Sequence, residues 1–190
     1  MRFRRMMIVL LLLCAGGCSF FSRSQSRFYS LDRSAPASVT AARGLPVAIE
    51  GVELPPGLDR REVVVRQADH QLQIRSAEQW SASLQPLALH TLAFDLAARL
   101  PEGMVILPGA AKPLAPTRSI DVVLEEFAAG PGNVVVLDGR WVLREGTRAD
   151  VTHHERITID VPSLDSANIA TGMSQALAAL ADRMAAELAR

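Results

Sequence analysis

Three adjacent residues in the C-terminal half of the chain are of types that bind metals. His153, His154 and Glu155 stand side by side, and imidazole and carboxylate groups are common zinc ligands. They fall in a stretch that alternates apolar and polar residues, which is the pattern of a strand. Consecutive strand residues point to opposite faces of a sheet, so the two histidines cannot chelate one ion from a regular strand. We therefore predict polar, outward-facing sheet residues here and no metal site.

A serine near the C-terminus lies in a sequence close to a hydrolase motif. Residues 172–176 read Gly-Met-Ser-Gln-Ala, one residue short of the Gly-x-Ser-x-Gly nucleophile elbow. The elbow requires a strand, a sharp turn and then a helix, so that the serine projects from the sheet. Ser174 instead lies inside a helical pattern that begins near Ser166. We predict no catalytic residue, and interpret Ser174 as a small residue that allows close helix packing.

The remaining polar and aromatic candidates have simple structural interpretations. Gly130-Pro131-Gly132-Asn133 lacks the lysine and the following helix of a phosphate-binding loop, so it predicts a hairpin turn. Residues 59–62 read Asp-Arg-Arg-Glu, which indicates either a local ion-pair patch in a solvated loop or a contact with a partner. Trp80 and Trp141 either pack in the core or anchor a partner.

The first 18 residues have the anatomy of a secretory signal. Three arginines occur within the first five residues, residues 6–13 are all apolar, and residues 15–17 are small and precede Cys18. The apolar run is too short to span a bilayer. We predict a signal peptide over 1–17, a lipidated spacer over 18–26 and a domain over 27–190.

The junction at Cys18 resembles a bacterial lipobox. This resemblance implies a diacylglycerol on the thiol of Cys18 and, after cleavage, an acyl chain (palmitate) on its new amine. Ala15 stands where such motifs usually carry leucine, and Cys14 has no small residue before it. The alternative is an ordinary cleaved signal with an unmodified cysteine. Ser19 follows Cys18, which resembles a signal for the outer membrane of a Gram-negative bacterium rather than for inner-membrane retention.

Charge and cysteine content exclude several functions. The precursor has 20 basic and 20 acidic residues, and loss of the three signal-peptide arginines leaves a mildly acidic mature chain. That balance disfavours nucleic acid or an anionic membrane surface as the main partner. The chain has two cysteines, Cys14 and Cys18. With the first removed and the second acylated, we predict no disulfide, no cysteine-based metal site, no cysteine nucleophile and no cofactor beyond the covalent lipid.

Hydrophobic periodicity predicts a single α/β domain, with a mixed, partly antiparallel sheet and two long helices packed on it. Turn residues separate the predicted strands, and His70 is placed at the tip of a hairpin. The second helix carries an apolar stripe and begins at a cap formed by Asp165 or Ser166. The predicted strands are 27–31, 45–54, 62–67, 71–75, 104–107, 119–127, 133–144 and 151–161, and the predicted helices are 83–100 and 166–189.

Fragments spread along the whole mature chain occur in one known family in the same order. They are Cys18; Phe28-Tyr29-Ser30-Leu31; Val52-Glu53-Leu54-Pro55; Leu58-Asp59-Arg60; Val64 and Arg66; Ile74-Arg75 through Trp80; Leu84, Leu92 and Leu96; Val122 to Phe127; Trp141-Val142-Leu143; and Ser174-Gln175-Ala176-Leu177 with Leu180. The chain therefore resembles the ABC-type transport auxiliary lipoproteins, the PqiC/YmbA-like family. Asp69-His70-Gln71 departs from that pattern, because an Asn-type turn residue is expected there.

The resemblance implies a non-catalytic outer-membrane lipoprotein that faces the periplasm. Members accompany an MCE-domain protein with its ABC permease and ATPase in lipid transport between the two membranes, and the resemblance also implies homo-oligomers. Only Cys18 transfers as a functional residue. Three alternatives remain: a periplasmic lipid-binding module, which needs a cavity above about 300 Å³ between sheet and helices; a tethered hydrolase that uses Ser174; and an outer-membrane assembly lipoprotein.

Overall fold

A computed structural model describes residues 25–190 except 37, 43, 112 and 116. Within that range the strands form one mixed sheet, and both helices pack on one of its faces, so the predicted α/β fold is confirmed. The elements in chain order are β1 Arg27–Tyr29, β2 Val47–Glu53, β3 Glu62–Arg66, β4 Leu72–Trp80, α1 Leu84–Arg99, β5 Val105–Ile106, β6 Arg118–Gly130, β7 Val134–Glu145, β8 Val151–Asp160 and α2 Ser166–Leu188.

The long strand β6 is the centre of the sheet. One side of β6 pairs with β7 in antiparallel fashion along its whole length, and β7 pairs in turn with β8. The other side is shared, because β2 runs parallel to the first half of β6 and β3 meets its end at Ala129. β3 and β4 form the predicted hairpin, and β1 lies parallel to β4. The strands β1 and β8 therefore lie at opposite edges of the sheet.

The core lies between the inner face of the sheet and the two helices. On β6 the inward side chains are Ile120, Val122 and Leu124, each at most 3% exposed. The predicted apolar stripe of α2 is confirmed, since its members are all buried: Met173, Leu177, Leu180, Met184 and Leu188. Trp80 and Trp141 are 2% and 1% exposed, so the core interpretation of both tryptophans is confirmed.

A glycine on α2 allows this helix to lie close to the sheet. A Cβ atom on Gly172 would lie 2.6 Å from Val161 Cγ1 and 2.9 Å from Val135 Cγ2. Real side chains do not tolerate such distances, so the helix can only lie this close because residue 172 has no side chain. Ser174, which the sequence suggests as a small residue for close helix packing, is also buried on α2, and its hydroxyl meets the backbone of Asp32.

Helix starts combine predicted and unpredicted caps. Asp165 accepts the N–H of Asn168 at 2.9 Å, as predicted, and hydrogen bonds, first from Ser163, hold the pKa of this carboxyl below its ordinary value. Ser83 occupies the N-cap of α1 but makes no capping hydrogen bond. Asp59 Oδ1 accepts the Gln85 N–H at 3.1 Å instead. The predicted solvated loop at 59–62 therefore includes a helix cap.

Strand β4 extends five residues beyond its predicted end. Residues 76–80 were not predicted as strand, and β1 pairs in parallel with residues 78–80. That pairing comes from a distant part of the chain, so local pattern does not reveal it. Among the described residues, no helix is both long enough and apolar enough to cross a bilayer.

Candidate functional site

The predicted lipid-bearing residue, Cys18, lies outside the described residues. The part of the described chain closest to it in sequence is the anchor segment, which we define as residues 25–36 and 38–40. It contains β1 and then runs across both helices as a loop. Its contacts decide how a lipid attached at Cys18 would be connected to the domain.

Ser174 ties the anchor segment to α2. Its Oγ accepts the backbone N–H of Asp32 at 3.0 Å and donates to the Ala170 carbonyl oxygen at 2.7 Å. Ser174 is buried, and within the described chain no histidine or carboxylate side chain hydrogen-bonds to it. A nucleophilic serine needs an adjacent base, so the geometry assigns this hydroxyl to a structural link.

A buried ion pair on α1 holds the next part of the anchor segment. The Ser34 N–H donates to Asp95 Oδ1 at 2.7 Å, and Arg99 Nη1 donates to the Ser34 carbonyl oxygen at 3.1 Å. The Thr40 N–H donates to the Arg99 carbonyl oxygen at 2.6 Å. Arg99 Nε also donates to Asp182 Oδ1 on α2 at 2.5 Å. One arginine thus joins the anchor segment to both helices.

The ion pair of Asp95 and Arg99 is buried, so the loss of one partner is expected to destabilise the fold. Asp95 is 0% exposed and Arg99 is 2% exposed. Desolvation raises the pKa of the Asp95 carboxyl, while the Ser34 N–H and the Arg99 guanidinium oppose that shift. Asp95 Oδ2 has no hydrogen-bond partner among the described atoms. Loss of Arg99 would leave the Asp95 carboxylate buried without a counter-ion, whereas loss of Asp95 would leave Arg99 its pair with Asp182.

The histidine pair is divided between the two faces of the sheet, as predicted. His153 lies opposite Trp141 and stacks on its ring with centroids 4.1 Å apart, on the inner face. His154 lies opposite Arg140 on the outer face. The prediction that His153 points outward was therefore wrong. Across the described ranges, no group of three or more His, Cys, Asp or Glu side chains could hold a metal ion.

The outer face of the sheet carries a ladder of ion pairs. Arg66 pairs with Glu126, and Arg156 pairs with Asp138 and lies 4.0 Å from Glu126. Other pairs continue across β6, β7 and the turn that follows; they are Arg140–Glu125, Arg144–Asp121 and Arg144–Asp150. No described helix packs on this face. It is therefore a formed but uncovered surface with both signs of charge.

Apolar residues occupy one end of the same outer face. Leu58, Val64 and Ala128 form a small buried cluster that is separate from the main core. Beside it, Leu72 and Ile74 on β4 are 45% and 46% exposed. This combination of an apolar end and a charged ladder is suited to contact with another protein, since interfaces combine an apolar centre with a polar rim.

The interior has no space for a ligand at the point where Trp80, Leu84, Phe127 and Met173 meet. The cavity there is about 10 Å³, which holds at most one water molecule. An open groove of about 250 Å³ lies at the β5 edge, lined by residues that include Ile49, Leu89 and Ile106. Both volumes are below the range typical of ligand pockets, which begins near ~300 Å³.

The family assignment follows from the match of the chain to a family model. The model of the ABC-type transport auxiliary lipoprotein component matches residues 29–185. The chain belongs to this family. None of the proteins with curated descriptions is significantly similar to this auxiliary lipoprotein.

Two crystal structures share its fold. One, described only as an uncharacterized protein, has a TM-score of 0.70 at 21% identity, over 86% of this chain and 99% of the other. The second is a DUF330 protein from Xanthomonas campestris, with a TM-score of 0.62 at 12% identity, over 83% of this chain and 92% of the other. The match supports the α/β assignment of this auxiliary lipoprotein and carries no functional residue.

The sequence interpretation missed the Asp95–Arg99 pair in this auxiliary lipoprotein. The signal was present, because the two residues are four apart on the helix face that carries Leu92 and Leu96. Opposite charges at that spacing form a pair, and their place on an apolar face indicates burial. The third partner, Ser34, contributes only its backbone N–H and carbonyl oxygen, so its residue type does not predict the contact.

We expect Ser174→Ala to lower the free energy of unfolding of this auxiliary lipoprotein by about 1 kcal/mol, because the Asp32 N–H loses its acceptor. Thr171→Ala is the matched control: Thr171 is exposed and its hydroxyl donates to the Ala167 carbonyl oxygen at 3.0 Å. Its effect should stay within about 0.5 kcal/mol. Urea unfolding of both variants measures the difference, and equal losses would contradict the assigned link.

Proposed function

We propose that this chain is a non-catalytic docking component of an MCE/ABC-type lipid transport system. In this proposal, a diacylglycerol and an acyl chain on Cys18 anchor it in the outer membrane, and the domain faces the periplasm. Its partners are an MCE-domain protein with an ABC permease and ATPase, and further copies of itself. No metal or other cofactor takes part. The signal-peptide anatomy, Cys18 and membership of an ABC transport auxiliary family support these assignments.

The uncovered outer face of the sheet is the observation that carries the docking role. Leu72 and Ile74 remain nearly half exposed beside the mixed-charge ladder, and no described helix packs over them. Within the described chain β8 pairs only with β7, so one edge of this ten-residue strand is also open. An open strand edge can accept a strand from another chain.

The packed interior favours docking over lipid binding by the domain itself. A lipid chain needs a cavity, and the site between sheet and helices at Trp80 and Phe127 is filled. The hydrolase alternative is disfavoured by the position of the Ser174 hydroxyl, which is engaged at both its hydrogen and its oxygen. An outer-membrane assembly role is distinguished from the docking role by the identity of the partner.

The docking proposal is tested by recovering the native lipoprotein with its partners. A tag placed after Arg190, which is exposed, allows capture from detergent-solubilised, crosslinked envelopes. We expect the MCE-domain protein and its permease in the captured fraction. Recovery of outer-membrane assembly proteins without an MCE-domain protein would overturn the proposal in favour of the assembly alternative.

The matched variant for this experiment is Cys18→Ala. Without the thiol no lipid can be attached, so the protein should move to the soluble periplasmic fraction with its fold intact. It should also fail to restore lipid transport in a strain that lacks the gene. A Cys18→Ala protein that remains in the outer-membrane fraction would contradict the anchor.

A further inference from the structure

The strand β8 lies at an edge of the sheet, and its outer side is open along the strand. Within the described chain it pairs only with β7, over residues 151–160 and without a register shift. Edge strands in natural proteins are usually short, bulged or interrupted by proline, and these features keep them from pairing with another chain. Residues 151–160 contain no proline. This edge therefore lacks all three features.

A hydrogen bond at the end of β8 shows which backbone groups face the open edge. The Val161 N–H donates to the Asn133 carbonyl oxygen at 2.8 Å, on the β7 side. Backbone groups alternate in direction along an antiparallel strand. The odd-numbered residues of β8 therefore bond to β7, and the even-numbered residues direct their N–H and C=O groups to the open edge. These residues are Thr152, His154, Arg156, Thr158 and Asp160.

Two of these even-numbered residues carry opposite charges on the outer face of the sheet. Arg156 pairs with Asp138 on β7, but its side chain is 60% exposed and its guanidinium has further donors. Asp160 is exposed, and its carboxylate has no ion pair or hydrogen bond with a described residue. An antiparallel copy of the same strand presents the two residues in reverse order, so each can lie opposite the other.

We propose that β8 pairs in antiparallel fashion with β8 of a second copy, about a two-fold axis at Thr158. The pairing rests on the self-association in the proposed function, and it specifies the strand, the symmetry and the register. In this register Arg156 of each copy lies opposite Asp160 of the other, and the two Thr158 residues lie opposite each other. Opposite charges and threonine pairs directly across two strands both stabilise the pairing.

The charges favour this register over its neighbours. An axis at Arg156 would place two arginines opposite each other, and an axis at Asp160 would place two carboxylates together, which is destabilising. An axis at Ile157 would place Arg156 opposite Thr158, away from Asp160. The backbone pattern agrees with an axis at Thr158, because the opposed residues are even-numbered and each pair can exchange both hydrogen bonds.

The pairing continues the sheet and its outer face through both copies. On the inner face, Ile157 lies opposite Ile159 of the second copy, which is half-buried in the single chain. A two-fold axis between antiparallel edge strands is perpendicular to the sheet, so both outer faces lie on the same side. The ion-pair ladder of one copy is therefore followed by that of the other, and the two copies present one wider docking surface.

Cysteine crosslinking in native envelopes tests the register. Thr158 is exposed, so Thr158→Cys should leave the fold unchanged. At the axis, the two Cα atoms of this hydrogen-bonded pair would be about 5.5 Å apart, which a disulfide can bridge. We expect a disulfide-linked dimer after mild oxidation. The unchanged lipoprotein supplies the background, because Cys18 is the only cysteine left once the signal peptide is removed.

His154→Cys is the matched control for Thr158→Cys. His154 is exposed and lies on the same strand and the same face. With the axis at Thr158, the two copies of residue 154 would be about 27 Å apart along the paired strands, at about 3.4 Å per residue. No disulfide can span that distance, so this variant should give no dimer above the background.

Asp160→Arg tests the charge contact. The substitution places an arginine opposite Arg156 on both sides of the axis, so the dissociation constant of the dimer should rise about tenfold. Glu102→Arg makes the same change of charge at an exposed turn distant in sequence from β8, and it should leave the dissociation constant unchanged. Native mass spectrometry of the mature acylated lipoprotein in detergent, over a range of concentrations, measures both variants.

The outcomes separate this pairing from the proposed self-association. If the unchanged lipoprotein forms no oligomer, both are overturned. Oligomers that give no crosslink at position 158, or equal crosslinking at positions 154 and 158, would overturn the pairing and leave self-association intact. The same follows if Asp160→Arg associates as tightly as Glu102→Arg. A photoreactive side chain at position 158 that captures an MCE-domain protein in place of a second copy would assign the edge to that partner and overturn the pairing.

Discussion

Arg99→Met is expected to lower the free energy of unfolding by about 3–5 kcal/mol, the largest single effect among the charged residues described above. Arg99 is 2% exposed, so methionine can fill much of its volume, but the Asp95 carboxylate would then be buried without its counter-ion. The variant also loses the bond to the Ser34 carbonyl oxygen and the pair with Asp182. Urea unfolding at neutral pH measures the loss.

The loss in Arg99→Met should depend on pH in a specific direction. Burial raises the pKa of Asp95 above its ordinary value of 3.8, and Arg99 opposes that rise, so the variant raises this pKa further. A carboxyl with a raised pKa favours the folded state below its ordinary pKa and loses that contribution as pH rises through the folded value. The deficit of the variant relative to the unchanged protein should therefore be largest near pH 7 and shrink toward about pH 4.

Two further variants distinguish the effect of breaking the buried ion pair from the effect of removing any positive charge. Arg148→Met removes an arginine that is 76% exposed and pairs with Glu145, and its effect should stay within about 0.5 kcal/mol. Asp95→Asn added to Arg99→Met should recover part of the stability, because no charge is then left buried. A deficit that is the same at every pH, or no recovery in the double variant, would contradict the buried ion pair as its cause.

Gly139→Ala is expected to cost about 3 kcal/mol, because the added methyl group would collide with backbone atoms. A Cβ at this position would lie 2.3 Å from the Val123 carbonyl oxygen and 2.8 Å from Leu124 Cα. Gly139 on β7 faces the register shift in β6 between Leu124 and Glu126. Backbone cannot move aside without breaking the longest strand pairing of the sheet. Thermal and urea unfolding measure the change.

Gly51→Ala is the matched control for Gly139→Ala. Gly51 also lies in a strand at a register shift, on β2, but no atom comes within 4 Å of its added Cβ. Alanine reduces the freedom of the unfolded chain, so this variant should be neutral or more stable by about 0.5 kcal/mol. Similar losses in both variants would show that the register shifts, and not the contact at Gly139, require glycine.

The elements predicted well were those whose signals are local. The period of Ile157 and Ile159 identified β8, and the spacing of Met173, Leu177 and Leu180 identified α2. The turn that contains His70 was also predicted from local residues, because His70 lies between two predicted strands. The structure confirms the turn, and His70 has a φ of 66° there. Such patterns determine the fold class because the buried face of each element must repeat with its own geometry.

The features that were missed depend on contacts between distant parts of the chain. The extension of β4 needs β1, the cap of α1 needs Asp59, and the collision at Gly139 needs the bulge of β6. His153 was placed on the wrong face because a polar residue was assumed to point outward, whereas stacking on Trp141 keeps it inside. Residue type and hydrophobic period do not predict these contacts, because each contact is recognised only when the positions of both residues in the fold are known.

The path of the anchor segment determines how the domain responds to mechanical force. A pull on a lipid attached at Cys18 would reach the domain through β1, and a pull along the strand would load the hydrogen bonds between β1 and β4 together in shear rather than one at a time. Beyond β1, the force passes to α2 at Ser174 and to α1 at Asp95 and Arg99. A partner that strains against the membrane would thus pull on the whole sheet–helix sandwich, and not on a strand that can peel away.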